Sequence, residues 1–185
     1  MRLFVALWPP PDAVAELLAA VGELTAEHPH LRWTAPEQWH LTLAFLGEVA
    51  DDRRPELDER LARAAARHPP LTLRFTGGGR FGARVLFTRV DGDREPLIRL
   101  AGSASAAARR SRIPVDDRPY RPHLTLARGR GADDLRPLAA RLEPLNGAPW
   151  TATDLDLVES RLGQGPAHYV TVASWPLAGR PRARQ

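Results

Sequence analysis

The chain is 185 residues long, which is enough for one domain or for two small lobes that share a core. Hydrophobic residues make up 43% and charged residues 26%, a composition typical of a globular rather than a disordered protein. No cysteine is present, which excludes disulfide bonds and thiolate metal sites. The 26 basic residues are all arginines, and the net charge of +4 is a modest excess that suits an anionic ligand. A dedicated nucleic-acid-binding protein would show a more concentrated basic stripe.

The first predicted element is a β-strand at residues 4–8. The apolar run that contains it, residues 1–8, stops at the three prolines 9–11. It is too short to span a membrane, and it lacks the small-residue cleavage site of a signal peptide. We therefore expect a soluble, cytoplasmic protein.

Helices and strands alternate along the rest of the chain. In chain order we predict helix 12–27 capped by Asp12, strand 40–45, helix 52–67, strands 71–75 and 84–90, helix 95–112, strand 123–127, helix 133–143 and strands 153–159 and 168–175. Hairpin turns are predicted at the glycine-rich residues 77–79 and 163–166, and a flexible tail at 177–185. The glycine turns favour antiparallel pairing, so the predicted fold class is α+β.

One pentapeptide occurs twice, 83 residues apart. Residues 40–44 and residues 123–127 both read His-Leu-Thr-Leu-Ala. Each copy follows a strand-like run by 36 or 37 residues, with a predicted helix between the two. We therefore predict a single bilobal domain at 1–176 that arose by duplication, with repeat halves at about 1–83 and 84–176.

Each pentapeptide has the pattern of a strand with one polar face. Because side chains alternate along a strand, the histidine, threonine and alanine of each copy share one face and the leucines share the other. Under this rule Phe45 falls on the leucine face of the first copy. A pseudo-twofold relation between the halves would turn both polar faces toward one groove, where His40 and His123 would converge.

Two converging imidazoles suit the hydrolysis of a phosphodiester without a metal ion. A neutral imidazole can accept a proton from water while a protonated one donates to the leaving oxygen, and a pKa of ~6.5 supplies both forms. The hydroxyls of Thr42 and Thr125 can donate to the phosphate, and Arg128 can supply fixed positive charge. Strict alternation puts Arg128 on the leucine face, so it must lie at the strand end or beyond a bulge to reach the phosphate.

Three other histidines fit structural roles better. His28, His30 and His68 stand near predicted helix ends, where an imidazole favours the negative end of the helix dipole. A single His-x-Thr sequence is a weak signal, whereas two copies at matched distances from a strand are specific. The competing interpretation of the pair is an old duplication whose histidines have become structural.

The two motifs and their surroundings resemble the 2H phosphoesterases, and more closely their RNA 2′,3′-cyclic phosphodiesterase branch, historically called 2′-5′ RNA ligases. The resemblance covers nearly the whole chain and rests on Arg2–Ala6, Arg32–Trp33, Trp39–Gly47, Tyr120–Arg128 and Leu157–Ser160. It implies a bilobal fold in which two antiparallel sheets with outer helices surround a central cleft.

The same resemblance implies hydrolysis of RNA 2′,3′-cyclic phosphodiester ends to 2′-phosphomonoesters, without a metal ion or other cofactor. It assigns His40 as the proton donor and His123 as the proton acceptor, with Thr42, Thr125 and Arg128 on the phosphate. We expect a monomer whose partners are RNA ends or nucleotides that carry a 2′,3′-cyclic phosphate.

Three other functions remain open from the sequence. A 2H enzyme could act instead on a small nucleotide, such as a cyclic phosphate of ADP-ribose or a 2′-5′ oligoadenylate. For an RNA substrate and for a small nucleotide alike, the candidate base-stacking residues are Trp39, Phe81, Tyr120 and Tyr169. A non-catalytic module that binds RNA ends would not need a matched acid and base. A two-histidine metal enzyme would need nearby carboxylates at ligand spacing, which the motifs lack.

Overall fold

Nine strands and four helices form the described part of the chain. The computed structural model describes residues 1–161, 163 and 167–180. The strands are β1 Arg2–Leu7, β2 Arg32–Trp33, β3 Leu41–Glu48, β4 Leu71–Phe81, β5 Val85–Gly92, β6 His123–Arg128, β7 Trp150–Ala152, β8 Asp154–Arg161 and β9 His168–Pro176. The helices are α1 Pro11–Glu27, α2 Arg54–Arg67, α3 Arg94–Arg110 and α4 Arg136–Arg141. Short 3₁₀ turns at Pro36–Gln38 and Asp51–Arg53 precede β3 and α2.

The strands form two antiparallel sheets. Sheet A has four strands in the order β3-β1-β8-β9, and sheet B has five in the order β2-β6-β5-β4-β7. All the paired neighbours run antiparallel. The predicted α+β class with two antiparallel sheets is therefore confirmed.

The two sheets do not follow the two halves of the sequence. Strands β8 and β9, from the second half, join β1 and β3 in sheet A, whereas β2 and β4, from the first half, join sheet B. Each sheet therefore contains one copy of the pentapeptide but is built from both halves. The single bilobal domain at 1–176 stays a prediction.

One face of each sheet contributes to a shared apolar core. In β1, the alternate residues Leu3, Val5 and Leu7 are buried in the main core cluster. Phe4 and Ala6, which point the other way, belong to a small separate cluster. The helices add residues at helical spacing to the main cluster, as Leu17, Val21 and Leu24 of α1 do. The opposite faces of the central strands are left free to form a site.

Two local predictions are wrong. Residues 77–79 do not form a hairpin turn but lie inside β4, where a register shift between Thr76 and Gly78 marks a bulge and Gly77 has a φ of 56°. The turn between β4 and β5 comes after Phe81 instead. Asp12 is not the cap of α1, because Pro10 occupies that position and the helix starts at a proline whose φ already suits it.

The predicted flexible tail begins too early. Leu177 is buried, and its N–H donates to the Thr153 carbonyl at 2.8 Å. The N–H of Gly179 donates to the His68 carbonyl at 2.9 Å. The packed chain thus extends at least to Gly179, since an apolar side chain and two backbone bonds hold this segment. Residues 181–185 and most of the turn predicted at 163–166 lie outside the described residues.

Among the described residues, no helix combines the length and the apolar character that crossing a bilayer requires.

Candidate active site

The two motif histidines are held by equivalent hydrogen bonds. His40 comes directly before β3 and His123 is the first residue of β6. Nδ1 of His40 lies 2.6 Å from the carbonyl oxygen of Gln38, and Nδ1 of His123 lies 2.6 Å from that of Arg121. Because a carbonyl oxygen can only accept, each Nδ1 must carry the hydrogen and donate. In the neutral form of each ring, Nε2 is therefore the basic nitrogen.

A phenylalanine from the neighbouring strand packs against each imidazole. The ring centroid of Phe4 in β1 lies 4.8 Å from that of His40, and the centroid of Phe87 in β5 lies 5.3 Å from that of His123. Phe4 and Phe87 are also 83 residues apart, like the histidines. The duplication thus extends beyond the pentapeptide to the strand beside it.

Further aromatic residues flank both imidazoles. Tyr169 meets His40 edge-on, with ring centroids 5.3 Å apart, and Phe81 meets His123 in the same way at 4.9 Å. Trp8 lies 5.3 Å from His40 between ring centroids, and its buried Nε1 has no hydrogen-bond acceptor among the described residues. The aromatic walls remove both imidazoles from most of the surrounding water.

This burial lowers the pKa of both histidines. Desolvation is the main cause in each case, and the hydrogen bond to the backbone carbonyl opposes it. The pKa of His40 falls from 6.5 to about 4, with smaller contributions from the positive charges of His123 and Arg128. The charge of Arg128 also lowers the pKa of His123. The three side chains therefore form one electrostatic site, in which His40 is neutral at pH 7 when no anion is bound.

A bulge in β3 resets the alternation of side chains. The consecutive residues Val5 and Ala6 of β1 pair with Ala44 and Thr42, which leaves Leu43 as an extra residue. Thr42 stays half-buried on the face of His40. Ala44 is 7% exposed and packs in the core with the leucines, so the expectation that it shares the histidine face is wrong. Phe45 is 66% exposed and turns to the face of Phe4, contrary to the predicted leucine face.

The equivalent bulge occurs in β6. The consecutive residues Leu86 and Phe87 of β5 pair with Ala127 and Thr125, which leaves Leu126 as the extra residue. Thr125 is half-buried beside Phe87 and Ala127 is fully buried, so the alanine is again misplaced by simple alternation. Arg128 comes after the bulge, is exposed, and has no carboxylate within ion-pair distance in the part of the chain that the structure describes. The bulge thus returns Arg128 to the imidazole face.

The candidate stacking residues fall into two groups. Phe81 and Tyr169 lie against the imidazoles, as described above. Trp39 is 3% exposed and belongs to the core, and Tyr120 packs against that core with a buried hydroxyl whose pKa burial raises. Trp39 and Tyr120 are therefore poorly placed to stack on a base.

Four aromatic residues of the site were missed by the sequence reasoning: Phe4, Trp8, Phe45 and Phe87. The 83-residue offset could have identified Phe87 once Phe4 was assigned to a strand. Phe45 could be assigned to the site only with knowledge of the bulge. For Trp8 the sequence offered no indication apart from its position before the prolines.

Metal coordination has no obvious candidate in this region. Within residues 1–161, 163 and 167–180, no group of three or more histidine, aspartate or glutamate side chains is placed to hold a metal ion.

Residues 9–164 match the 2′-5′ RNA ligase superfamily. The chain belongs to this family. The predicted membership of the 2H phosphoesterases is thereby confirmed, together with the prediction that the chain is a phosphodiesterase-type enzyme.

Several relatives that match most of the chain share the name RNA 2′,3′-cyclic phosphodiesterase. An RNA 2′,3′-cyclic phosphodiesterase of Thermus thermophilus is 34% identical, over 97% of this chain and 91% of the relative. One of Geobacillus stearothermophilus is 30% identical over 88% of this chain. The match covers 53% of the Geobacillus protein, so the chain spans about half of that relative's length.

Solved structures agree with the fold. The crystal structure of TT0787 of Thermus thermophilus superimposes with a TM-score of 0.80 at 31% identity, covering 98% of this chain and 100% of that chain. LigT of Escherichia coli, complexed with 3′-AMP, superimposes with a TM-score of 0.72 at 27% identity, covering 95% and 96% of the two chains.

Proposed function

We propose that this protein hydrolyses RNA 2′,3′-cyclic phosphate ends to 2′-phosphomonoesters by acid–base catalysis with His40 and His123 and without a metal ion. The observation that carries the proposal is the matched pair of imidazoles. Each imidazole donates its Nδ1–H to a backbone carbonyl, and the charge of Arg128 lowers the pKa of both. The activity named for the relatives is in keeping with this chemistry.

In the proposed reaction a water molecule attacks the phosphorus of the cyclic ester. Neutral Nε2 of His123 accepts a proton from that water as the new P–O bond forms. Protonated Nε2 of His40 donates to the 3′ oxygen as the P–O3′ bond breaks. The products are a 2′-phosphomonoester and a free 3′-hydroxyl. The donor and acceptor roles follow the family resemblance, because the two hydrogen-bonding arrangements are the same.

The lowered pKa values make proton uptake part of substrate binding. His40 is neutral at pH 7 without a bound anion, since its pKa is about 4. A phosphodiester anion placed between the imidazoles favours the charged form and raises the pKa. His40 therefore gains its proton together with the substrate.

Three further side chains would hold the phosphate. Thr42 and Thr125 lie on the imidazole faces of their strands, where each hydroxyl can donate to a non-bridging oxygen. Arg128 can donate two parallel hydrogen bonds to the same group and offset the charge that develops on it.

The base of the substrate would lie on the side of sheet A. The residue 83 positions before Arg128 is Phe45, an exposed ring on the same relative face of β3. An aromatic face of this kind can stack on a nucleobase. The indole N–H of Trp8, which has no acceptor among the described residues, is a further donor for the ribose or phosphate.

The decisive assay measures turnover of an oligonucleotide with a 2′,3′-cyclic phosphate end in the presence of EDTA. We expect full activity and a 2′-phosphomonoester product, because proton transfer and the contacts of Arg128 take the place of a Lewis acid. Activity that EDTA abolishes and Zn²⁺ or Mn²⁺ restores would contradict the metal-independent mechanism. Turnover confined to small cyclic nucleotides would contradict the RNA substrate.

A further inference from the structure

A second basic site lies between α2 and α3. The two helices enclose an open groove of about 1220 Å³ with the start of β4 and the end of β5. None of its lining residues is one of the proposed catalytic or phosphate-binding residues. It is therefore separate from the site that contains the two histidines.

Arginine dominates the lining of this groove. Three arginines come from α2 and three from α3, namely Arg60, Arg63, Arg67, Arg94, Arg99 and Arg110. A seventh, Arg180, lines it from the end of the described chain, whereas the acidic lining residues are Asp93 and Glu95. Asp93 already accepts a hydrogen bond from the N–H of Thr72 at 2.9 Å. The groove therefore carries a strong positive excess in a chain whose net charge is only +4.

Several of these arginines are available for a ligand. Arg60 forms a half-buried ion pair with Glu56, and Arg63 forms an exposed one with Glu59. By contrast, Arg67, Arg99 and Arg110 are exposed and have no carboxylate within ion-pair distance among the residues that the structure describes. An unpaired guanidinium presents planar donors that match a phosphate group.

Two of the unpaired arginines line the groove from one face of α3. Arg99 lies in the first half of the helix and Arg110 is its last residue, about 16 Å further along the axis at a rise of about 1.5 Å per residue. Gly102, Ser103 and Ala106 lie between them and line the groove with small side chains. A Cβ atom added at Gly102 would meet nothing within 4 Å, so the space above α3 is open.

We propose that this groove binds the phosphodiester backbone of a single-stranded RNA, away from the end that reacts in the cleft. The identification of the strand as RNA rests on the proposed function. An acidic protein segment fits the groove less well. Among the residues that the structure describes, the lining contains none of the Trp, Tyr, Phe or Met side chains on which protein interfaces depend. Contacts to backbone phosphates carry no sequence information, so the groove would favour long substrates over short ones regardless of base.

Two glycine substitutions provide a matched test. Gly102→Glu introduces a carboxylate into the groove, and Gly22→Glu makes the same change in α1. Both glycines are exposed helical positions where an added Cβ meets nothing within 4 Å. Binding of a labelled 3′-hydroxyl oligouridylate of about 15 nucleotides should weaken roughly tenfold in Gly102→Glu and stay within about twofold in Gly22→Glu. Equal binding by wild type and Gly102→Glu, or failure of wild type to bind, would overturn the proposal.

Parallel measurements identify what the groove recognises. An oligothymidylate of the same length should lose as much affinity in Gly102→Glu, since both strands share the phosphate backbone. For hydrolysis, the ratio of kcat/KM for a long cyclic-phosphate RNA to that for a mononucleotide should fall roughly tenfold in Gly102→Glu. An unchanged ratio would overturn the link between the groove and the RNA substrate. If wild type hydrolyses neither substrate, the proposed function fails, while the binding assay still tests the groove.

A double variant supplies an independent measure. Arg67→Gln combined with Arg110→Gln removes two guanidinium groups without reversing charge. The slope of log affinity against log salt concentration should become shallower by about 1.4, because each phosphate contact to a single strand contributes about 0.7. An unchanged slope would show that these arginines do not contact the strand.

Discussion

The motif sites of the two sheets share most of their polar groups and differ most in charge at one position. On each side a histidine donates its Nδ1–H to a carbonyl two residues earlier, at 2.6 Å in both cases. On each side a threonine follows the histidine by two residues, and a bulge falls at the next leucine. Three residues after the threonine, however, sheet A presents Phe45 and sheet B presents Arg128. The histidines and threonines are thus duplicated, whereas Phe45 and Arg128 are not.

This difference suggests how a nearly symmetric site can bind an asymmetric substrate. A nucleotide end has an apolar base at one side and a charged phosphate at the other. An exposed phenylalanine suits the base, and a guanidinium suits the phosphate. Variants at the shared histidines should therefore change the rate of the chemical step. Variants at Phe45 should weaken the hold on the base, and variants at Arg128 should weaken the hold on the phosphate.

Replacement of the shared histidines should have the largest effect. His40→Ala and His123→Ala should each lower kcat by roughly 10²–10⁴-fold, because each removes a proton-transfer group. The double variant should be scarcely slower than either single variant, since an acid–base pair fails as a unit. Steady-state kinetics on a cyclic-phosphate oligonucleotide provide the measurement, with His28→Ala as the control outside the site. Additive losses in the double variant would contradict concerted action.

Arg128→Lys should have the second-largest effect and lower kcat/KM by roughly 10- to 100-fold. A lysine keeps the positive charge but loses the planar pair of donors that a phosphate oxygen pair accepts. Arg2→Lys, at an exposed arginine at the start of β1, is the control. Kinetics close to those of wild type would mean that Arg128 does not contact the phosphate in the transition state.

Phe45→Ala should act mainly on KM. Loss of one stacking surface costs about 1–3 kcal/mol per base, which corresponds to a KM raised roughly 5- to 160-fold with a smaller change in kcat. Leu18→Ala removes another exposed apolar side chain, from α1, and should change neither parameter. A fall in kcat as large as the fall in kcat/KM expected for Arg128→Lys would show that Phe45 supports the chemistry and does not merely hold the base.

These expectations depend on positions that the sequence could predict to different degrees. The equivalent placement of His40 and Thr42 and of their counterparts in the two sheets was predictable, because an exact sequence repeat implies the same local structure in both copies. The placement of Phe45, Ala44 and Ala127 was not, because simple alternation cannot anticipate a bulge. A bulge depends on which residues of the partner strand lie opposite, and that is a long-range property. The same limit applies to β8 and β9, whose return to sheet A depends on packing against β1 and not on local propensity.

The smallest expected effect concerns stability toward acid. The pKa of His40 is about 4 in the folded protein, below its ordinary value of 6.5. As the pH falls through 6.5, the unfolded chain binds a proton at this residue and the folded protein does not. The free energy of unfolding should therefore decrease between pH 6.5 and pH 4, by roughly 1–3 kcal/mol for this residue.

Denaturant titrations across this pH range measure the effect. His40→Asn should show a flatter dependence on pH than wild type, and the same substitution at the exposed His168 serves as the matched control. Equal pH dependence in wild type and His40→Asn would contradict the lowered pKa.

The central claim, that one imidazole protonates the leaving oxygen while the other takes a proton from water, is tested most directly with a leaving group that needs no protonation. A nucleoside phosphodiester with a p-nitrophenolate leaving group meets this condition, because the phenolate departs as a stable anion. We predict that this substrate restores most of the lost rate in His40→Ala and leaves His123→Ala inactive. Rescue of His123→Ala instead would reverse the two roles. Rescue of neither variant would contradict acid–base catalysis by this pair.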